Sequence, residues 1–346
     1  MQLLSQTDAL ILKKVGDEAE QESFSAVDYI SLGIQKGECF CLLGPNGSGK
    51  LALFKLLYND LSCSSGDVYY SGIKFKISSS KIYQNMGYCP QQDGFHGDLT
   101  GRESLQLYGR LKGIPKENLQ EVINVLLKQV MLEAHADKLA KYYSVVDKRK
   151  LSIAIALIGN PQFLLLDDPT SGMDMKEKRM VWSMLQDRRA QGCTIVLSSQ
   201  CMEECEALCT RLTIMAQGKL LCLGTPQHLK TKYAQGLTII VHLKPQPGHA
   251  MDEVIKYLKE LFDQIEIFNQ LDTYLHLQVP AEMFPPSVVF DKMETAKKDL
   301  DLEHYTIQQA SLEQVFLMLL NKTKTPNTTE RAGSKLSDND KHSTVL

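Results

Sequence analysis

The chain has 346 residues, of which 43% are hydrophobic and 23% charged, and its net charge is −3. This length predicts more than one globular domain. The nearly balanced charge gives no electrostatic reason to expect a nucleic-acid partner. No apolar stretch of the sequence is long enough to span a bilayer. The nine cysteines lack C-x-x-C metal spacing, so we expect buried free thiols in a reducing compartment.

The N-terminal third predicts β-structure followed by a strand–loop–helix unit. Residues 1–36 contain short apolar runs that are typical of antiparallel strands. Residues 37–43 form a continuous apolar run, which predicts a buried strand, and residues 52–58 predict a helix with one apolar face. Residues 66–95 are rich in turn-forming residues and contain two short strand candidates.

The middle of the chain predicts a helical subdomain and then a parallel sheet. Residues 100 to about 150 repeat apolar side chains at helical spacing. The run at 163–167 is apolar throughout until it ends in aspartate, which is typical of a buried parallel strand. Residues 194–199 and 211–216 predict further strands, and a hairpin turn is expected at 217–219.

A composition break at Pro245-Gln-Pro-Gly248 indicates a second domain. The order of strands and helices predicts a small α+β domain of the ferredoxin-like type over 237–322, after a first domain at 1–236. The element candidates in this domain are strands at 237–243, 273–279 and 305–307 and helices at 251–262, 286–300 and 312–320. Residues 323–346 are polar, and we expect them to be disordered.

The run from Gly44 to Lys50 reads Gly-Pro-Asn-Gly-Ser-Gly-Lys and matches a phosphate-binding loop. Its glycines allow successive backbone N–H groups to point at one anion, and the following helix adds the positive end of its dipole. The pattern requires Ser or Thr at the next position, because that hydroxyl ligates Mg²⁺. Leu51 stands there and cannot bind a metal ion.

Further segments in a fixed order give the loop its context. They are Tyr88-Cys-Pro-Gln91, Tyr143-Ser-Val-Val146, Leu164-Leu-Leu-Asp167 and Asp168-Pro-Thr-Ser-Gly-Met-Asp174. Together with the loop they resemble the nucleotide-binding domain of ATP-binding cassette (ABC) transporters. Three phrases, Gly37-Glu-Cys-Phe40, Met202-Glu-Glu-Cys205 and Ser311-Leu-Glu-Gln-Val-Phe316, are similar to subfamily A, the lipid exporters. The likeness extends from about residue 8 to 322.

The resemblance implies an α/β fold of the P-loop NTPase class, with a mixed sheet, an antiparallel β subdomain and a helical subdomain. The small C-terminal domain resembles the subfamily's regulatory domain. Two such nucleotide-binding domains close around ATP and move attached transmembrane domains, so a second cassette and transmembrane domains are the implied partners. The implied location is the cytoplasmic face of a membrane. The chain is expected to be a piece of a larger transporter or a truncated relative.

Several residues match positions that bind ATP and Mg²⁺ in the family. Lys50 matches the phosphate-binding lysine, Asp167 and Gln91 match the positions that hold Mg²⁺, and Asp174 matches the D-loop aspartate. The implied ATP-binding residues are Gly44, Pro45, Asn46, Gly47, Ser48, Gly49, Lys50, Leu51, Gln91 and Asp167.

Other positions depart from the family pattern. Asp168 replaces the general-base glutamate and is one methylene shorter, and Gln200 replaces the switch histidine and cannot carry charge. Val145 and Val146 replace two glycines of the signature motif, where branched side chains obstruct the approach to phosphate. No aromatic residue stands near Val15–Gly16 to stack on adenine, and Phe24 or Tyr29 could substitute only with a shifted loop.

Together with Leu51, these departures predict a cassette that binds ATP, with hydrolysis that is slow or absent. Three alternatives stay open: a pseudo-ATPase that regulates a transporter without turnover, a relic fold kept for packing, and a soluble cassette acting on ribosomes or DNA. The net charge and the subfamily-A-like C-terminal domain count against the last. Thr344-Val-Leu346 matches the C-terminal pattern recognised by PDZ domains, so a PDZ partner is a further hypothesis.

Overall fold

The computed structural model describes residues 8–16, 26–77, 79–233, 236–243, 250–262, 265–271, 274–279, 285–300, 302–309 and 311–324. The chain divides into two compact units, Met1–Tyr233 and Ala234–Leu346. This division lies close to the boundary expected at 236, and the domain limits stay predictions. Phe24, the break at 245–248 and the PDZ motif at Thr344–Leu346 lie outside the described residues.

The first unit contains ten strands and eight α-helices within the described ranges. The strands are β1 Asp8–Gly16, β2 Ile30–Gln35, β3 Cys39–Leu43, β4 Ser65–Tyr70, β5 Ile73–Lys74, β6 Met86–Cys89, β7 Phe163–Asp167, β8 Thr194–Ser199, β9 Arg211–Ala216 and β10 Lys219–Gly224. The helices are α1 Lys50–Leu57, α2 Ser79–Gln84, α3 Gly101–Leu111, α4 Lys116–Gln129, α5 Val145–Leu157, α6 Met175–Ala190, α7 Met202–Leu208 and α8 Pro226–Tyr233.

The central sheet has six strands in the order β10-β9-β3-β8-β7-β6. The neighbours from β9 to β6 are parallel, and β10 joins β9 as an antiparallel hairpin. Every residue of β3, β7 and β8 is buried, as expected when helices cover both faces of a parallel sheet. The mixed sheet predicted from the sequence is confirmed.

A second, antiparallel sheet has the order β2-β1-β4-β5. A buried apolar cluster joins side chains of this sheet, of the central sheet and of α1, including Leu32, Phe40, Phe54, Tyr70 and Phe163. Tyr70 and Phe163 pack edge to face with ring centroids 5.0 Å apart. This cluster fixes the helix that follows the phosphate loop against both sheets, and the predicted antiparallel subdomain is confirmed.

The predicted helical region contains α3, α4, the short 3₁₀ helices Glu133–His135 and Ala140–Tyr142, and α5. Thr100 begins α3 with a capping box: its hydroxyl accepts from the backbone N–H of Glu103, whose carboxylate accepts from the N–H of Thr100. Helix α5 continues to Leu157, beyond the expected limit near 150, because its second half is apolar and buried.

Sequence periodicity did not identify four helices: α2, α6, α7 and α8. Helix α2 lies within the segment expected to contain only turns and strands. Helix α6 is rich in charged residues and buries only Val181, Trp182, Met184 and Leu185, so its apolar stripe is short. Tertiary packing on the sheet decides such helices more than propensity does.

The second unit has strands β11 Leu237–His242, β12 Glu266–Leu271, β13 Tyr274–Val279 and β14 His304–Gln309, with helices α9 Ala250–Leu261, α10 Pro286–Asp299 and α11 Leu312–Lys324. The sheet order is β12-β13-β11-β14, all antiparallel. This β-α-β-β-α-β arrangement is ferredoxin-like, as the sequence predicted. Helix α11 extends two residues into the tail expected to be disordered, and the rest of that tail is outside the described residues. No helix in the described ranges is long and apolar enough to cross a bilayer.

Candidate nucleotide site

The candidate site lies at the carboxyl ends of four parallel strands. Gly44 follows β3, Gln91 lies just after β6, Asp168 follows β7 and Gln200 follows β8. Ligands of α/β proteins bind at this edge of the sheet, where the strands end and the loops to the next helices begin. The tertiary structure therefore brings together segments that are far apart in the sequence.

The phosphate loop needs glycine for two different reasons. Gly47 and Gly49 have φ angles of 77° and 102°, which side chains of L-residues rarely tolerate. At Gly44, a Cβ atom would lie 2.5 Å from the carbonyl oxygen of Met215 on β9. Helix α1 begins directly after this loop at Lys50, so its first N–H groups face the space that the loop encloses.

Lys50 is buried, and its ammonium group closes the loop from inside. It donates hydrogen bonds of 2.6 and 2.9 Å to the carbonyl oxygens of Gly44 and Pro45. Burial lowers the pKa of Lys50, while the charges of Asp168 and Asp167 oppose that change. The loop carbonyls thus bind the cation directly, and the two carboxylates act on it through their charge.

Leu51, the second residue of α1, is 46% exposed. The side chain is therefore not absorbed into the core, and an apolar group lies on the surface where the loop pattern calls for a hydroxyl. Ser48 supplies a different hydroxyl, buried and 3.5 Å from the Lys50 ammonium nitrogen.

Asp167 has one carboxylate oxygen available for a ligand. The Ser198 hydroxyl donates to Oδ1, whereas Oδ2 is buried and has no hydrogen-bond partner in the part of the chain that the structure describes. A buried, unpartnered carboxylate oxygen is costly unless a cation binds it. Carboxylate oxygen is also a preferred ligand of Mg²⁺, so this residue fits the predicted metal.

Asp168 has a φ angle of 46°, in the left-handed region that aspartate enters more readily than most residues. Its Oδ2 accepts a hydrogen bond of 3.4 Å from the side-chain amide of Gln91. Burial, and then the charge of Asp167, raise the pKa of Asp168, while Lys50 lowers it. Gln91 contacts this carboxylate, and its predicted role in holding Mg²⁺ stays a prediction.

Gln200 and Asn46 connect the switch position to the phosphate loop. The Gln200 side-chain amide donates a 2.8 Å hydrogen bond to the Asn46 carbonyl oxygen. The contact is exposed, so a phosphate oxygen can compete for the same amide donor. The role of Gln200 at a terminal phosphate also stays a prediction.

Arg149 is an organising residue that sequence reasoning missed. It is 4% exposed and donates only to backbone carbonyl oxygens in the described structure. The acceptors belong to Pro90, Gln91, Asp167, Asp168 and Pro169. One guanidinium thus joins the Gln91 loop to the end of β7. Charged side chains in a run such as 148–150 are mostly exposed in proteins, so the place of this run between two site motifs was its only functional signal.

The signature-like segment begins α5. Ser144 is the N-cap and accepts from the Asp147 N–H at 3.1 Å, and Val145 is 74% exposed. A branched, exposed side chain therefore stands at the first residue of this helix, and the predicted obstruction of a partner's phosphate stays a prediction. Asp174 caps α6 by accepting from the N–H of Glu177 at 2.8 Å.

Within the described residues, Tyr29 is the aromatic residue considered for stacking on adenine. Tyr29 is exposed and has a left-handed φ of 45°, and only the backbone of Val15–Gly16, at the end of β1, is described. The absence of a stacking residue stays a prediction.

Two family profiles match separate parts of the chain. The ABC transporter profile matches residues 27–171, and the profile of the ABCA1-like, C-terminal R1 regulatory domain matches residues 234–309. The chain thus contains an ABC nucleotide-binding domain followed by an ABCA1-like R1 regulatory domain. The first unit is therefore called the cassette and the second the R1 domain.

Similar proteins support this assignment. Phospholipid-transporting ATPase ABCA3 of Homo sapiens is 41% identical over 310 residues, covering 89% of this chain and 18% of the relative. Retinal-specific phospholipid-transporting ATPase ABCA4 of Mus musculus is 40% identical over 316 residues, covering 90% and 14%. ATP-binding cassette sub-family A member 2 of Homo sapiens is 41% identical, covering 86% and 12%. The chain thus spans less than a fifth of each relative.

Solved structures support the cassette fold. A dimeric ATP-binding cassette in a post-hydrolysis state with ADP and phosphate aligns with a TM-score of 0.58 at 24% identity, covering 62% of this chain and 98% of that one. An ATP-binding subunit of an ABC transporter aligns with a TM-score of 0.60 at 20% identity, covering 65% and 93%.

Proposed function

We propose that this chain is the ATP-binding cassette of a subfamily A transporter, that it binds ATP with Mg²⁺, and that its own site hydrolyses ATP slowly or not at all. The phosphate loop closed by buried Lys50, with Leu51 and Asp168 in place of the expected hydroxyl and glutamate, carries the proposal. Domains of this family bind ATP together with Mg²⁺, and transporters of subfamily A include phospholipid-transporting ATPases.

Binding rests on the groups that complement phosphate and metal. Lys50 and the backbone N–H groups of the loop would hold the terminal phosphates. The unpartnered oxygen of Asp167 and the Gln91 amide would hold Mg²⁺. The metal would supply positive charge that neutralises the phosphates.

The proposal of weak hydrolysis rests on the groups of the family pattern that this site lacks. Leu51 leaves the metal without its usual hydroxyl ligand, so Asp167 carries more of the binding. Asp168 is short for a general base, which must lie within about 3 Å of the water that it activates. The side-chain amides of Gln91 and Gln200 can donate hydrogen bonds, but they do not take up a proton and so cannot carry positive charge.

Transport rests on partners outside this chain. We propose that the cassette pairs with a second nucleotide-binding domain and with transmembrane domains at the cytoplasmic face of a membrane, where closure around ATP moves lipid. Because the signature segment acts on the partner's nucleotide, exposed Val145 would also weaken the composite site on the partner.

The test is ATP binding to the full chain with and without Mg²⁺, for wild type, Leu51→Thr and Leu51→Val. Threonine and valine have nearly the same shape, so they differ only in the hydroxyl. We expect Mg²⁺ to tighten ATP binding at least tenfold more in Leu51→Thr than in Leu51→Val, roughly the value of one added charge-assisted contact. Equal Mg²⁺ effects in the two variants would contradict the assigned defect.

The second candidate is a regulator without turnover, favoured by the Gln200–Asn46 hydrogen bond, which links the switch position to the loop without a catalytic group. Single-turnover phosphate release separates the two. A slow but measurable release that Lys50→Met abolishes supports the leading proposal. ATP binding with no release fits the regulator and leaves the leading proposal only its case of absent hydrolysis. No ATP binding at all would contradict both and leave a fold kept for packing.

A further inference from the structure

A cluster of cysteine thiols lies between strand β3 and helix α7 of the cassette. Cys39 and Cys41 are two residues apart on the strand, so both point to the same face. Cys205 and Cys209 are four residues apart and share one face at the end of the helix. The intervening strand residues, Phe40 and Leu42, belong to the apolar core on the other face of the sheet.

Three of these thiols are close enough to bind one ion. The sulfur atoms of Cys41, Cys205 and Cys209 all lie within 4.8 Å of one another, and those of Cys41 and Cys205 are 3.0 Å apart. All three residues are buried. A lone buried cysteine behaves as a small apolar side chain, but sulfur atoms converging on one point form a ligand set.

Cys39 is the buried thiol that precedes Cys41 by two residues on the same face of β3. It is not one of the three described thiols whose sulfurs lie within 4.8 Å of one another. Cys39 can therefore become a fourth ligand only when its side chain rotates toward the ion.

We propose that Cys41, Cys205 and Cys209 bind one thiophilic metal ion, Zn²⁺ or Cu⁺, with Cys39 as the fourth ligand when the ion is tetrahedral. Thiolate ligands select these two ions among biological metals. On binding, each ligating S–H bond breaks, a metal–sulfur bond forms and the proton goes to solvent. No electron is transferred, so the step needs no oxidant or reductant.

The dimensions of the cluster suit this ion. Zinc–sulfur bonds of about 2.3 Å in a tetrahedron place ligand sulfurs about 3.8 Å apart. The sulfurs of Cys41 and Cys205 therefore need to separate by less than about 1 Å, which small rotations about χ1 within one rotamer supply.

The position of the cluster gives the ion a structural consequence. Strand β3 runs directly into the phosphate loop, and α7 begins just after Gln200. A metal bound between them would fasten the loop's supporting strand to the element that follows the switch position. The ion would lie beneath the nucleotide site and take no part in phosphate chemistry.

The first experiment uses the full wild-type chain, stripped of metal under reducing conditions and titrated separately with Zn²⁺ and with Cu⁺ against chromophoric chelators. We expect one equivalent of metal per chain and an X-ray absorption spectrum with only sulfur in the first shell, at about 2.3 Å for zinc. This measurement needs no variant to fold. Less than 0.2 equivalents of either metal, a first shell of oxygen or nitrogen, or recovery of a Cys41–Cys205 disulfide without metal would overturn the proposal.

The variants are Cys205→Ser and Cys39→Ser, with Cys222→Ser as the matched control because it is a buried cysteine outside the cluster. Loss of Cys205 should weaken metal binding by more than about 100-fold, beyond what loss of a supporting residue costs. Loss of Cys39 should weaken Zn²⁺ binding and leave Cu⁺ binding within about threefold, since only the tetrahedral ion needs a fourth sulfur. An equal loss in the Cys222→Ser control would assign the metal to adventitious thiols and overturn the site.

Discussion

The ammonium nitrogen of Lys50 lies 2.6 Å from the carbonyl oxygen of Gly44, six residues earlier in the same loop. The ammonium group thus donates its hydrogen bonds to the carbonyl groups of the loop. A bound phosphate would compete with these carbonyl groups for the same cation. Nucleotide binding must redirect this charge toward phosphate. Burial lowers the pKa of Lys50, and the charges of Asp168 and Asp167 oppose that change.

Replacing Lys50 with methionine tests the importance of that charge. Methionine keeps the length and apolar stem but removes every donor, so ATP affinity should fall by about 10–100-fold, the value of a charged hydrogen bond. Isothermal titration with ATP measures this loss. Lys55→Met, on the outward side of the same helix, should leave affinity within about twofold, and an equal loss there would indicate a general charge effect.

Lengthening Asp168 tests whether the short carboxylate limits hydrolysis. In a Leu51→Thr background, Asp168→Glu should speed single-turnover hydrolysis by at least about tenfold, since a well-placed base contributes about 10²–10⁴-fold. Asp168→Asn in the same background keeps the size of the side chain without a base and should give no increase. If the two variants hydrolyse ATP at the same rate, the carboxylate is not the limiting group.

Asp168→Glu should also lower the stability of the folded chain. The left-handed φ of Asp168 suits aspartate better than glutamate. We expect the free energy of unfolding of Asp168→Glu to be lower than that of wild type by about 1 kcal/mol in a urea titration. A variant as stable as wild type would show that this backbone conformation relaxes at no cost.

Removing Arg149 should destabilise the cassette. Arg149→Ala leaves the carbonyl oxygens of two loops without their shared donor, so the free energy of unfolding should fall by about 3 kcal/mol or more. Arg149→Lys retains the charge but has fewer donors and should recover only part of that loss. Chemical denaturation measures both, with exposed Arg110→Ala as the control expected to stay within about 0.5 kcal/mol. A similarly small effect at Arg149 would contradict its organising role.

Glu204 predicts a dependence of stability on pH. Its buried carboxylate accepts hydrogen bonds from Thr170, Trp182 and Ser199. Burial raises the pKa of Glu204 and those hydrogen bonds only partly oppose it. Between the unfolded pKa of about 4.3 and the raised folded pKa, the folded chain therefore holds a proton on Glu204 that the unfolded chain does not. The stabilisation that this proton gives is fully present below the unfolded pKa and is lost as the pH rises through the folded pKa.

Glutamine stays neutral at every pH, so Glu204→Gln removes this loss of stability at high pH. The melting temperature of the variant relative to wild type should be higher at pH 8 than at pH 5, whatever the absolute change at either pH. Exposed Glu203→Gln is the matched control, and its relative melting temperature should not depend on pH. A pH-independent difference for Glu204→Gln would contradict the raised pKa.

Much of the fold could be predicted because its signals are local. The apolar runs of β3, β7 and β8 and the alternating pattern of β13 follow directly from burial on two faces or on one. Helices α6 and α7 could not be predicted this way, because each buries a short stripe against a sheet that only the folded chain supplies.

Some residues of the candidate site could likewise be predicted from the sequence, and others could not. Lys50 was identified from the phosphate-loop pattern, and Asp167 and Asp168 were identified from the resemblance to the family at the end of a strongly apolar strand. Arg149 was missed because its partners are backbone carbonyl groups, which carry no side-chain signal in a sequence. The thiol cluster was missed because a strand spacing of two and a helix spacing of four resemble no metal motif until the two elements pack together.

The sequence by itself determined the resemblance to the family, the buried strands of the central sheet and the substitutions at Leu51, Val145 and Asp168, because these depend on which residue occupies which position. Only the tertiary structure decided that Asp167 keeps one buried oxygen without a partner in the described structure and that the thiols of Cys41 and Cys205 meet. The physical reason is that burial and contact between distant segments arise from packing strands side by side, which no local pattern of residues specifies.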